Sequence, residues 1–349
     1  MTLIESVLSA LSYFFHEQAI LAFGLMVLLA FFLVRRRRVL LLALILSLAL
    51  TPLIKQYYDI DRPCVGQTDC PTDPGFPSHH ATLGFVFAAA TWGQPVHLLF
   101  LPLGLLMGWS RIYLGVHNFA QVAAGIAVGV WYVHMAQALI AWYDRRKQPR
   151  PITSKASHPL GHQFEAGRQV IHILFGLFFV ALGLILNKRE MLILLMTLLG
   201  AGMLVSTLKT MGLRLYLLDR YLLVLERPGM LPGRGVIMYA AGMLLLFAFA
   251  PSQLFALGIA SILAVGDGLA TLVGSQVGGM KLPWNKHKTA SGTLAFFAGS
   301  FIASVWFLGT SSALFYSALL ALVESIDWGL DDNLLIPTAG IIIRELVKI

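Results

Sequence analysis

Long apolar runs separated by short polar breaks dominate the chain from residue 17 onward. A helix needs about 20 apolar residues to cross a bilayer core about 30 Å thick, because each residue rises about 1.5 Å. Runs of that order predict spans over 17–34, 39–54, 80–95, 97–114 and 118–142. A second set is predicted over 168–186, 190–208, 236–250, 252–270, 293–308 and 311–326, with a shorter apolar tail from Leu334. Residues 2–15 read as a surface helix or a further span, and no signal-peptide cleavage site is evident. The expected fold is an all-α integral membrane protein, two helical-bundle modules with about eleven or twelve spans.

Composition supports this and excludes an ordinary soluble domain: 58% of residues are hydrophobic, 12% are charged, and mean hydropathy is +0.77. The net charge of +8 raises nucleic acid as a partner, but its distribution argues against one. The basic residues gather as Arg35-Arg36-Arg37-Arg38 and as Asp144-Arg145-Arg146-Lys147-Gln148-Pro149-Arg150, each beside a predicted span. That is the pattern of positively charged cytoplasmic loops in a multi-pass protein of the cell membrane. With the first cluster inside, the loop 55–79 and the segment Ser110–His117 face outward, and the chain returns inside at Asp144. The second cluster agrees with that count. Residues 143–167 are polar and carry Pro149, Pro151 and Pro159, so they read as a linker between modules 1–142 and 168–349. Cys64 and Cys70 fall in the outward loop, where either a disulfide or two free thiols is compatible with the sequence.

Polar residues that are costly beside apolar runs collect at two places. In the first module these are Lys55 and Arg62-Pro63, then Pro77-Ser78-His79-His80, then Ser110-Arg111 and His117. Cations, a hydroxyl and histidines on one membrane face suit holding a phosphoryl group and moving it to a nitrogen nucleophile. These residues resemble the type 2 phosphatidic acid phosphatase superfamily, whose pattern is K-x6-RP, PSGH and SR-x5-H-x3-D. The resemblance covers about residues 39–142, with His79 in place of the glycine. It implies that His117 is the nucleophile and forms a phosphohistidine, and that His80 protonates the leaving oxygen. Lys55, Arg62, Ser78 and Arg111 would hold the phosphoryl oxygens, and no metal is needed. Gln121 departs from the pattern: the family aspartate that orients the imidazole and stabilises its cation is an uncharged amide here. Loss of a comparable carboxylate in a serine-protease triad costs about 10⁴ in turnover. Phosphate binding is expected to survive this change, with Asp59 or Asp61 as candidate replacement acids.

In the second module the polar residues are predicted on the cytoplasmic face. Asp267 ends an apolar span, where an isolated carboxylate is expensive unless it pairs or binds a cation. Gly278 and Gly279 permit close backbone approach, and Lys286, Lys288 and Thr289 precede a helix start suited to phosphate. Glu324, Asp331, Asp332 and Asn333 add groups suited to Mg²⁺, which uses one or two carboxylates plus substrate phosphates. Neither a P-loop nor a dinucleotide fingerprint is present. Residues 165–349 resemble the dolichol kinase, phytol kinase and CTP-dependent diacylglycerol kinase group. The matching signatures are Glu165-x2-Arg168-x3-His172; Glu226 with Pro232-Gly233-Arg234-Gly235; Asp267-x2-Ala270-x3-Gly274; Lys288-Thr289-x2-Gly292-Thr293; and Glu324 followed by Asp332-Asn333-x3-Pro337. The resemblance implies transfer of the CTP γ-phosphoryl to a lipid alcohol. It places Asp267, Glu324 and Asp332 near Mg²⁺ or the acceptor hydroxyl, and Lys286, Lys288 and Arg234 on phosphates.

Together these readings predict a bifunctional enzyme of polyprenyl-phosphate metabolism. Its inner site would phosphorylate a polyprenol with CTP, and its outer site would dephosphorylate a polyprenyl pyrophosphate. The alternatives are the same modules acting on diacylglycerol, phosphatidate or a short isoprenol, or a first module that only binds lipid phosphate. A transporter would line a mid-bilayer path with charge, whereas these residues are predicted at two opposite faces.

Overall fold

The structure is a computed structural model that describes residues 3–68, 70–147, 161–215, 219 and 229–347. The helices fall where the apolar runs predict them: α1 (Leu3–Glu17), α2 (Ala19–Leu33), α3 (Arg37–Tyr58), α4 (His79–Thr91), α5 (His97–Tyr113), α6 (Phe119–Lys147), α7 (Gly161–Ile185) and α8 (Lys188–Thr210). After these come α9 (Arg234–Phe249), α10 (Gln253–Ser261), a π-helical turn (Ile262–Asp267), α11 (Gly268–Gln276), α12 (Ala290–Leu308), α13 (Thr310–Ser325) and α14 (Asp332–Val347). The fold is all-α apart from an antiparallel hairpin, β1 (Lys281–Leu282) with β2 (Asn285–Thr289). Six of the described helical stretches are long and apolar enough to cross a membrane, or seven if the bent α1–α2 pair counts as one span. The larger number expected from hydropathy includes α4, α5, α9, α13 and α14, which have 13 to 17 residues each.

The chain forms two compact units: residues 1–147 with 196–213, and residues 148–195 with 214–349. The division differs from a boundary at the linker, because the later part of α8 belongs to the first unit. The reason is local. Ser206 Oγ accepts from the Trp92 indole at 2.9 Å, and Thr207 Oγ1 accepts from Gly93 N at 3.2 Å, closing the turn between α4 and α5. At its other end α8 opens with a reciprocal cap, in which Asn187 N donates to Glu190 Oε2 and Glu190 N to Asn187 Oδ1.

In the first unit α4 is the core helix, buried at every position from Ala81 to Thr91 and packed by α3, α5 and α6. Its approach to α6 is close enough to require glycine. A Cβ at Gly125 would sit 2.4 Å from Ser78 O, and one at Gly129 would sit 2.5 Å from Thr82 O. Gly125→Ala is therefore expected to cost about 1–3 kcal/mol through overpacking. Thermal unfolding of the purified protein checks this, and an unchanged midpoint would show that α4 and α6 are free to part. Arg38 on α3 pairs with Asp144 on α6 at 3.1 Å, so both basic clusters lie at one end of this bundle. Lys55, near the other end of α3, lies 17 residues further on, about 26 Å along the helix axis.

In the second unit α9 is the core helix, buried from Ile237 to Ala248 and packed against α14 and α10. The path from Gln253 to Gln276 is one helical stretch interrupted by the π-helical turn. Asp267 thus lies inside that stretch, not at the end of a span as expected. π-Helical turns insert a residue into the helical ladder and recur at functional sites. Here the turn carries Asp267. Thr289 caps α12, its Oγ1 accepting from Gly292 N at 3.2 Å.

Candidate active sites

In the first unit, three loops meet around His117. Lys55 comes from the last turn of α3, which ends at Asp59 in a left-handed conformation (φ 43°). Cys64 and Cys70 are joined in a disulfide, which resolves the open choice at those residues and tightens the loop after α3. The chain then turns back at Gly75, whose N–H donates to Ile60 O at 2.6 Å. A larger residue there would displace the Gln121 amide, since a Cβ would lie 2.6 Å from Gln121 Nε2. Asn118 caps α6 by accepting from Gln121 N at 2.9 Å, while Gln121 Oε1 accepts from Asn118 N at 3.2 Å. This reciprocal cap fixes the loop that holds His117.

The hydrogen bonds assign the imidazole. Arg62 is a pure donor, and its Nη1 lies 2.9 Å from His117 Nε2, so Nε2 is the acceptor nitrogen. Nδ1 then carries the proton and donates to Gln121 Oε1 at 3.0 Å. Gln121 is held in that orientation because its Nε2 donates to Asp61 O at 2.8 Å. Burial, reinforced by the charge of Arg62, pushes His117 down to about 3, so the ring is neutral at ordinary pH. Gln121 thus supplies the orientation expected of the aspartate but not its charge.

Lys55, Arg62, His80, Arg111 and His117 line one cavity of about 510 Å³. Its other wall is apolar, built from Ala19, Ile20 and Phe23 of α2 with Leu48 and Leu83. Arg111 is buried, donating from Nε to Ser110 Oγ at 3.1 Å and from Nη2 to Ser12 O of α1 at 3.3 Å. Ser78 is fully buried, and among the described residues its hydroxyl has no hydrogen-bond partner. Its backbone N–H donates to Gln121 O at 2.9 Å, which places it against the His117 loop. Asp59 and Asp61 line a separate polar cavity of about 280 Å³. The acid inside the His117 cavity is instead Asp73, which the sequence reading did not single out. Its carboxylate pairs with Lys55 Nζ and, at 2.6 Å, with Arg62 Nη2. Partial burial works the other way, but these two cations hold it below the usual carboxylate range.

In the second unit the acidic residues gather around Lys288 of β2. Lys288 Nζ pairs with the Glu324 carboxylate and donates to Glu324 O at 2.6 Å. Burial works to lower the Lys288 ammonium, but the Asp332, Glu324 and Asp267 carboxylates raise it overall. Burial first, and then the Asp267 carboxylate, push Asp332 above its ordinary range. His172 Nε2 lies 3.5 Å from Asp267 Oδ2, bringing α7 to the same cluster. Arg234 stands at the start of α9, 3.7 Å from Asp331. Residues from five segments, α7, the π-helical turn, β2, α13 and α14, therefore converge here. Lys286 is exposed, and Thr289 is buried with its hydroxyl committed to the α12 cap. Gly278 and Gly279 both take positive φ, and Gly278 O accepts from the Ser291 hydroxyl. Glu226 and part of the linker lie outside the described residues.

Comparison with known proteins identifies one domain of the chain and relates a further part of it to named kinases. Residues 37–148 are a PAP2 superfamily domain. The chain is homologous to "Probable phytol kinase 3, chloroplastic" of Glycine max, 33% identical over 101 residues that make up 24% of this chain and 32% of the relative. It is similarly related to "Farnesol kinase, chloroplastic" of Arabidopsis thaliana, 34% identical over 24% of this chain and 33% of the relative. The chain spans about a third of the length of these plant relatives. An uncharacterised protein of Methanocaldococcus jannaschii is 32% identical over 184 residues, 50% of this chain and 88% of its own length, and the chain belongs to the same family as that protein. No solved structure gives a significant match. The chain is thus a PAP2 domain joined to a segment related to isoprenoid-alcohol kinases, in an all-α membrane protein.

Proposed function

We propose that the protein is a bifunctional enzyme of polyprenyl-phosphate metabolism. Its first site removes a phosphate from a polyprenyl pyrophosphate, and its second phosphorylates a polyprenol with CTP. The observation that carries the first part is the cavity with one apolar wall and one wall of cations around a neutral imidazole. A lipid chain suits the apolar wall, and the phosphoryl oxygens suit Lys55, Arg62 and Arg111 with the spare Ser78 hydroxyl. His117 Nε2 attacks phosphorus as the bond to the leaving phosphate oxygen breaks, and His80 delivers a proton to that oxygen. Water then cleaves the P–N bond and restores the imidazole. Opposite ends of the first bundle carry this site and the basic clusters, which favours an outward-facing phosphatase.

For the second site we assign the kinase relationship to residues 168–349, where the acidic cluster and Lys288 meet. Among the described residues no three His, Cys, Asp or Glu side chains form a metal cage. Two carboxylates completed by nucleotide phosphates is what Mg²⁺ ordinarily takes, and the buried Glu324 Oε2, which has no hydrogen-bond partner among the described residues, fits such a donor set. Two of the three carboxylates Asp267, Asp332 and Glu324 would hold the ion together with the nucleotide phosphates, whose charge it would offset. Lys288 and Arg234 face the phosphates, and a carboxylate of the cluster takes the alcohol proton. The plant relatives, named for phytol and farnesol, favour a second reading, in which the alcohol is a short isoprenol of that kind.

Purified protein supplied with CTP or ATP and a panel of polyprenols, phytol, farnesol and diacylglycerol is expected to label a polyprenol from CTP. Labelling confined to short alcohols would select the second reading, and preference for ATP would count against the donor assignment.

A further inference from the structure

We propose that the Asp73 carboxylate is an internal occupant of the phosphoryl subsite, displaced by a phosphate-bearing ligand before His117 can react. The proposal rests on reading the first cavity as a phosphoryl-transfer site. Lys55 and Arg62 side chains are only 7% and 8% exposed, and two buried cations side by side require an anion. Asp73 provides it, with one oxygen on Lys55 and the other on Arg62. A phosphoryl group would spread its oxygens over the same two donors. The chain of contacts runs on to the nucleophile, because Arg62 Nη1 occupies the lone pair of His117 Nε2. In this resting arrangement both cations and the attacking nitrogen are already engaged.

The carboxylate is the exchangeable member of this set. Its side chain is 53% exposed, and Asp73 with Arg62 lines both the inner cavity and the outer polar one, which offers room to swing aside. The loop itself is tied by the Cys64–Cys70 disulfide and by the Gly75–Ile60 hydrogen bond. Nor are the cations positioned by the carboxylate alone. Lys55 Nζ also donates to Pro74 O at 2.6 Å, and Arg62 Nε to the Asp73 backbone carbonyl at 2.9 Å. Removing the side-chain charge therefore leaves two backbone anchors in place and frees donors for a ligand.

The test is titration of inorganic orthophosphate into the full-length detergent-solubilised protein by calorimetry. Asp73→Asn and Asp73→Ala are expected to bind orthophosphate about tenfold more tightly than wild type, since a competing charge is gone. Asp73→Glu, which keeps the charge, is expected to show no tightening. If the Asn and Ala variants bind equally or more weakly, while wild-type binding is measurable and lost in Lys55→Ala, the carboxylate is not a competitor and the proposal falls with the cavity reading intact. Tightening in the Glu variant as well would also overturn it. Absence of orthophosphate binding in every protein would overturn the cavity reading and the proposal together.

Discussion

Replacing His117 by alanine is expected to abolish phosphate release from a lipid pyrophosphate, by about 10⁴-fold or more, because it removes the imidazole proposed to form the covalent intermediate. The structure gives the reason this residue stands apart from its neighbours. Its ring is neutral, its proton is fixed on Nδ1 by Gln121, and Nε2 presents the lone pair among the cations. Phosphorylation of a lipid alcohol by the same protein should be unaffected. The companion variant is Gln121→Asp. The amide already selects the tautomer, so a carboxylate adds charge as the imidazole becomes cationic, and turnover should rise. Release of phosphate by wild type that merely equals the alanine variant, with gain only in the aspartate variant, would mean that the first module binds lipid phosphate without hydrolysing it.

The second large effect is expected at Asp267. Asp267→Asn should lower transfer to the lipid alcohol by about 10²–10⁴-fold, measured as labelled lipid phosphate from CTP. Asp267 is drawn into the cluster by the π-helical turn, where it faces His172 and adds to the field on Lys288 and Asp332. The substitution keeps size and removes charge, so a loss of activity at unchanged thermal stability separates chemistry from folding. Activity within a few-fold of wild type would move the reacting groups elsewhere.

Helix placement was legible because apolar runs in a membrane chain are long and their breaks are polar; α2, α8 and α12 lie within three residues of their predicted limits. The cavity cations Lys55, Arg62 and Arg111 were legible because each stands at the polar edge of an apolar run and within a motif that resembles a known family. Asp73 was not, because it joins the cavity only when the loop between α3 and α4 folds back, and no periodicity marks that return. Asn118 and Gln121 could have been read as a helix cap from their three-residue spacing ahead of an apolar run. Asp267 was misplaced within its helix because a π-helical turn leaves hydropathy unchanged. The hairpin β1–β2 is too short for a strand pattern to register.

The course of α8 has a consequence for how such a protein can be taken apart or inherited. The phosphatase-type bundle is finished by residues 196–213, which the chain reaches only after α7 and the opening of α8 have contributed to the other unit. The first bundle is consequently not a contiguous piece of polypeptide. A cut at residues 148–160 would strip the Trp92–Gly93 turn of Ser206 and Thr207, so shuffling or proteolysis at the apparent joint does not yield a complete first half.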